Sequence, residues 1–484
     1  MTTQELWRIL PIVIIGLSVL VTTITEITYN NLNRTISISL LFILISFIAS
    51  LNVWFGWTFT PSLELLFGNS ISVDKFALFF YFLILLVTFF TLLISRSYLI
   101  EMKKDSGELI ILLLLSISGM LVLVSARELI TIYVALELSS LPLIALGAIR
   151  RGKFSAEVGI KFFILSSVAT AVLLYGFVFL YGFTGTTHLD RIFYELVNIQ
   201  NVEPALIFSI VAIIAGFGFK MAIVPWQSWI PDYYQGAPIP VVALLSVASK
   251  AAAFAIVIRI FYIAMQNSLF VEFWMNIFAI VSILSMSLGN LVALRQKSFL
   301  RLLGYSTIAQ AGYMLIGLAS FYSGNLGLNA LLYYIAGYAF SNLTVFFVFM
   351  IINTKYKDDH LDNLKGLFFK SPLLSIFMII GLLSLLGMPP TVGFMGKLFV
   401  FSAAIDSDLL WLAIVGGANT VIASFYYLRI IKKIIFDQPE NQTSYSVSKV
   451  NNIIYIFGSF GIIFLGIFPV LLFNLTKTAV KFLN

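Results

Sequence analysis

The chain has 484 residues, 60% of them hydrophobic and 11% charged, with a mean hydropathy of +1.02. A water-soluble domain carries roughly a quarter charged residues, so the composition excludes one and indicates an all-α integral membrane protein. The absence of cysteine excludes disulfides and thiolate metal sites, and the two histidines, His188 and His360, lie outside apolar runs, which argues against a histidine-held haem or metal in the membrane.

From the N-terminus, "LWRILPIVIIGLSVLVTTIT" is long enough to span and has no small-residue cleavage site after it, so it reads as a retained first span rather than a signal peptide. A spanning helix needs about 20 mostly apolar residues. Cutting at charged or turn-rich breaks predicts spans near 6–26, 36–56, 76–95, 108–125, 128–149, 158–183, 205–228, 239–265, 272–293, 299–320, 327–352, 372–404, 409–434 and 451–475. That is about fourteen transmembrane helices in one polytopic domain, 1–484, with no connection long enough for a folded soluble domain.

The net charge of +7 would suggest nucleic acid in a soluble chain, but here it follows from loop topology and no nucleic-acid partner is expected. With the N-terminus outside, 19 of the 29 lysines and arginines fall on inward loops, among them Lys103, Lys104 and Arg151, and seven fall outward. That alternation supports the orientation and an even helix number, which puts both termini outside.

The remaining three basic residues lie within apolar spans: Lys220 in "GFGFKMAIVPW", Lys250 in "LLSVASKAAAF" and Lys397 in "GMPPTVGFMGK". One acid, Glu137 in "IYVALELSSLPLIAL", joins them. Each costs about 2.5 to 3.5 kcal/mol at mid-bilayer, so the four together cost on the order of 10 kcal/mol. Snorkelling accounts for Arg259, Lys75 and Arg429 near helix ends but not for residues flanked by long apolar runs.

Lys220 precedes Pro225 by five residues, and Lys397 follows Pro389 and Pro390. Proline frees backbone groups, which are tolerated at membrane depth only when buried in protein or lining a wet cavity. Spans seven and twelve therefore read as discontinuous helices facing a hydrated path. Their placement five helices apart predicts two inverted five-helix repeats, 108–265 (helices 4–8) and 272–434 (helices 9–13).

The stretches "FGFKMAIVPWQSWIPDYYQGAPIPVVALLSVASKAAAF", "LRLLGYSTIAQAGYMLIG" and "LGMPPTVGFMGKLFVF" resemble the antiporter-like membrane subunits of proton-pumping NADH:quinone oxidoreductase, respiratory complex I. The resemblance covers nearly the whole chain. It is nearest to the subunit N (subunit 2) branch: "GAPIPVVALLSVASK" departs from the "EAP" form of the L and M types, helix twelve carries a lysine, and the chain ends without the lateral extension of the L type.

This resemblance implies a proton translocase of the electron transport chain in a prokaryotic cell membrane. Glu137 would pair with Lys220, Lys250 would be the central relay lysine and Lys397 the terminal one. Separation of the first pair would release a proton toward Lys250. The partners implied are the other membrane-arm subunits and the lipid bilayer. The chain itself would carry no cofactor, since NAD(H), FMN, iron–sulfur clusters and quinone would be held by other subunits.

One departure is "PWQSWIPD", where the family usually has a histidine. Gln227 stands there and does not titrate near neutral pH, which puts a relay step through that position in doubt. Gln310 is likewise a hydrogen-bonding group. The rival readings are a subunit of a multi-subunit sodium/proton antiporter and a membrane scaffold with no ion path.

Overall fold

The computed structural model describes residues 3–56, 65–102, 105–150, 152–199, 203–439 and 449–481. Lys103, Lys104 and Arg151 of the loop-charge argument lie outside these residues. The helices are α1 (Thr3–Tyr29), α2 (Leu32–Phe55), α3 (Lys75–Met102), α4 (Ser106–Ser125), α5 (Leu129–Ala148), α6 (Lys153–Thr184), α7 (Leu189–Val197) and α8 (Pro204–Met221). Next come α9 (Ile230–Gly236), α10 (Ile239–Leu244), α11 (Lys250–Arg259), α12 (Ser268–Ala293), α13 (Phe299–Ala319) and α14 (Asn325–Tyr356). The last are α15 (Leu367–Lys370), α16 (Pro372–Leu386), α17 (Val392–Asp406), α18 (Leu410–Ile435), α19 (Lys449–Ile467) and α20 (Pro469–Val480). A two-stranded antiparallel hairpin, β1 (Leu65–Leu66) and β2 (Ile71–Ser72), pairs Leu65 with Ser72 and Leu66 with Ile71.

Among the described residues, twelve helices are long and apolar enough to cross a membrane, or thirteen if Asn451–Ile467 and Pro469–Val480, bent by 85°, count as one. Three expected spans differ. The span expected over 205–228 stops at Met221, because Ala222 turns left-handed (φ 70°) and Pro225 follows. The span expected over 372–404 is two helices, α16 and α17, parted at a left-handed Gly387 (φ 89°). The span expected over 451–475 bends ahead of Pro469, which has no N–H to continue the ladder. The expected span 239–265 is continuous but carries two π-helical turns, Leu245–Ser249 and Ile260–Ala264.

The chain forms two compact units: Met1–Met221 with Ala248–Trp274 and Thr478–Asn484, and Ala222–Val247 with Met275–Lys477. Lipid offers no hydrophobic gain for helix–helix contact, so close approach through small residues and interhelical hydrogen bonds must supply the attraction. In the first unit α6 and α8 meet this way. A Cβ on Gly216 would stand 2.5 Å from Leu173, one on Gly176 would stand 2.8 Å from Ile213, and Ser209 donates to the Gly176 carbonyl at 2.7 Å. In the second unit α12 and α13 repeat the device, with Gly312 against Met286 and Ser282 donating to the Gly312 carbonyl at 2.7 Å.

The chain also passes twice through one order of elements. An isolated bridge, Glu128 with His188, leads into α5, and a second, Ser298 with His360, leads into α13. The helices that follow, α6 and α14, are 32 residues each. Each passage then reaches an apolar helix ended by a left-handed residue, Ala222 or Gly387.

Candidate functional site: four ionisable residues and two helix breaks

Glu137, Lys220 and Lys250 lie in the first unit and Lys397 in the second. Lys220 occupies the last turn of α8, where backbone carbonyls lack helical partners and the helix dipole favours a cation. Its Nζ donates to Ser166 Oγ of α6 at 2.9 Å and lies 5.5 Å from the Phe219 ring centre and 6.0 Å from that of Phe162. The two rings stack on each other, 5.7 Å apart and 18° from parallel. Glu137, half-buried beside the exposed stripe Ile130, Val134 and Leu141 of α5, is within electrostatic reach of Lys220. Among the described residues, however, the two do not form an ion pair.

Lys250 is buried and directly follows the π-helical turn Leu245–Ser249. Such turns inside α-helices recur at functional sites.

Lys397 reaches back across its break. Its Nζ donates to the Leu386 carbonyl at 2.8 Å, the free C-terminal end of α16, lies 3.5 Å from Thr420 Oγ1, and stands 4.3 Å over the Tyr313 ring. Glycine relieves strain at position 387, because φ is 89° and a Cβ would stand 2.9 Å from Lys397 Cδ. Gly393 N–H donates to Ser384 Oγ at 3.2 Å, satisfying backbone that the break frees. The earlier break uses the same chemistry, Val224 N–H donating to Ser285 Oγ at 3.0 Å.

Hydroxyls and amides crowd this second unit. Thr420 donates to Tyr313 at 3.2 Å. Gln310 donates to the Leu385 carbonyl at 2.9 Å and accepts from Tyr334, and Ser306 and Tyr427 lie 2.5 Å apart. Gln310 is therefore a fixed member of a hydrogen-bonded cluster. Gln227, by contrast, leaves a buried Oε1 with no partner among the described residues.

Arg259 corrects the snorkelling expectation. It is fully buried, its two terminal nitrogens fork onto Asp74 at 2.9 and 2.7 Å, and its Nε donates to the Val124 carbonyl at 2.8 Å. Ser72 Oγ and Ala77 N–H also donate to Asp74, and Arg127 lies 3.6 Å from it. Arg429 donates to the carbonyls of Leu294 and Gln296.

A family model described as the transmembrane region of NADH:quinone oxidoreductase and Mrp antiporters matches residues 126–423, a segment that holds all four ionisable residues. The chain belongs to that family. A NADH-quinone oxidoreductase subunit N of Dehalococcoides mccartyi is 34% identical to this oxidoreductase/antiporter-family chain, over 98% of each. A chain of respiratory complex I from Thermus thermophilus superposes with a TM-score of 0.80 at 28% identity, covering 96% of this chain and 98% of that one. A chain of the Mrp complex from a Dietzia species superposes at 0.85 over 100% and 98%, but at 19% identity it speaks for the fold alone.

Proposed function

We propose that the chain is a proton-translocating membrane subunit of a bacterial NADH:quinone oxidoreductase, set in the plasma membrane among the other membrane-arm subunits. Whole-length similarity to the subunit N relative and to the Thermus complex I chain supports the reading. The observation that carries the mechanism is Lys397, a buried ammonium held by a carbonyl, a hydroxyl and a ring face, with no carboxylate in ion-pair contact among the described residues. No fixed counter-ion pins the proton there, so charge arriving nearby can displace it.

Glu137, Lys220, Lys250 and Lys397 form the relay in this reading. The two passages through one element order are its inverted repeats, 108–265 and 272–434. Quinone reduction occurs on other subunits, which hold NAD(H), FMN, iron–sulfur clusters and quinone, and this chain contributes no redox group. Both termini face outward. With no native cysteine, single cysteines at the exposed residues Lys357 and Asp408 report orientation. An impermeant maleimide added to intact cells labels position 408 and not 357, and the reverse pattern overturns the orientation.

The test of function is donor-driven proton uptake by inverted membrane vesicles. Lys397→Ala, in a complex assembled to normal amount, abolishes uptake. Wild-type uptake refutes the relay through Lys397. The matching family model, which spans both NADH:quinone oxidoreductase and Mrp antiporters, supports the sodium/proton antiporter as a second reading, and it requires sodium-dependent transport without a redox partner in the purified complex.

A further inference from the structure

We propose that Ser166 is a positioning residue that gives Lys220 a second seat, holding its ammonium away from Glu137 in one of two arrangements of the relay. The inference rests on the proton-carrying reading above and deepens it. Lys220 Nζ donates to Ser166 Oγ at 2.9 Å, while Glu137 acts on it electrostatically without ion-pair contact among the described residues. The structure therefore holds the pair in its separated arrangement.

The seat is built rather than incidental. Ser166 is buried, at 2% exposure, in the middle of the 32-residue helix α6. The glycine contacts of Gly176 and Gly216 lock α6 against α8 and so fix the hydroxyl relative to the backbone of Lys220. The stacked Phe162 and Phe219 rings present their faces to the ammonium, and a ring face stabilises a cation where water is excluded. The last-turn carbonyls of α8 add a partial negative charge at the same place. These features together hold an ammonium without a carboxylate. Lysine's flexible four-carbon stem lets the head group move between two acceptors without any backbone displacement. Glu137 is one acceptor and Ser166 the other.

The two seats make opposite demands on the proton. Beside Glu137 the carboxylate retains it. At Ser166 the acceptor is neutral, and nothing balances the charge but dipoles and ring faces. A hydrogen bond to a charged group shifts such a two-place equilibrium by about tenfold or more, so loss of the hydroxyl returns Lys220 to Glu137.

The experiment compares Ser166→Ala, Ser166→Thr and Lys220→Ala in the assembled complex, with proton uptake by inverted vesicles and coupled oxidoreductase rate as readouts. Ser166→Ala lowers uptake by about tenfold, and Ser166→Thr restores most of it because it keeps the hydroxyl. A packing role predicts the other order, since alanine fits the close α6–α8 contact and the extra methyl of threonine does not. In Glu137→Gln background, where the charged seat is gone, Ser166→Ala produces a much smaller further change. Wild-type uptake in Ser166→Ala, or a better result for alanine than for threonine, overturns the second seat. Wild-type uptake in Lys220→Ala overturns the reading on which the proposal rests, and so separates the two failures.

Discussion

The two units solve the problem of charge within a membrane in different ways. In the first, charge meets charge: Asp74 with Arg259 and Arg127, and Glu137 within reach of Lys220. In the second, Lys397 has only neutral company among the described residues, and ion pairs form at the helix ends, Asp232 with Arg301 at 2.7 Å and Asp362 with Lys365 and Lys433. Both breaks nonetheless set a lysine at the carbonyl end of a half-helix. Lys220 uses the end of its own helix, α8, and Lys397 leans across the gap to the end of α16. The shared device is the free helix terminus, and the difference is whether a carboxylate stands nearby.

The largest expected effect comes from breaking the paired solution. Replacing Arg259 removes the fork that satisfies Asp74 and leaves only Arg127, 3.6 Å away, against its buried charge, and breaking a buried pair costs about 3 to 5 kcal/mol. Arg259→Met therefore lowers the amount of assembled complex sharply, as seen in native gels of detergent extracts. Asp74→Asn together with Arg259→Met recovers much of the loss, because no lone charge remains. A double variant as poor as the single one shows that the Nε hydrogen bond to the Val124 carbonyl, rather than charge balance, is the requirement.

The next effect sharpens the contrast at the lysines. Glu137→Gln and Lys220→Ala each reduce proton uptake by inverted vesicles. Their combination is much less severe than the sum, since groups in one network are not additive. Glu137→Gln combined with a Lys397 substitution is closer to additive, because the two residues belong to different units. Full additivity of Glu137→Gln with Lys220→Ala shows that the two act independently, and wild-type uptake in both single variants makes the pair structural and leaves the chemistry to Lys250 and Lys397.

Much of this was legible in the sequence. Apolar run length located the spans, and prolines beside buried lysines located both breaks, because a proline removes its backbone donor wherever it sits. What was hidden depended on partners distant along the chain. Arg259 lay near a helix end and read as snorkelling; nothing local announced Asp74, 185 residues away, as its partner. Ser166, Thr420 and Tyr313 are ordinary residues of membrane helices, and only the glycine-tight α6–α8 contact and the packing around the second break give the hydroxyls a lysine to hold. The π-turn before Lys250 also has no local signature, since the same apolar residues serve an α-turn. The 85° bend at Phe468 was in principle readable from Pro469 but was masked by continuous hydrophobicity on both sides.

A third effect tests the two break geometries. Gly387 has φ 89° and lies against Lys397 Cδ, whereas Ala222 carries a Cβ at φ 70°. A side chain in the left-handed region costs roughly 1 to 2 kcal/mol. Gly387→Ala is therefore destabilising by at least that amount and also displaces Lys397, so thermal stability and proton uptake fall together. Ala222→Gly goes the other way at the backbone, is neutral to mildly stabilising, and leaves uptake near wild type. Equal stability loss in both variants means that the residue type at the break is set by packing rather than by φ.

The smallest effect comes from the exposed charge of the second unit. A hydrogen bond from Lys433 and the charges of Lys433 and Lys365 hold the Asp362 carboxyl below its ordinary value of 3.8, outweighing a burial contribution that raises it. A carboxyl depressed in the folded state contributes stability above its unfolded pKa and loses it as pH falls through the folded value. The group is mostly solvated, so screening limits its worth to about 0.5 kcal/mol. Asp362→Asn thus lowers the melting temperature of the detergent-solubilised complex only slightly at pH 7. The difference from wild type shrinks with added salt and vanishes at a pH below the folded value, where wild-type Asp362 is itself neutral. A loss at pH 7 as large as that of Arg259→Met, unchanged by salt, shows instead that Asp362 acts as a buried structural anchor like Asp74, and removes the distinction between the two units.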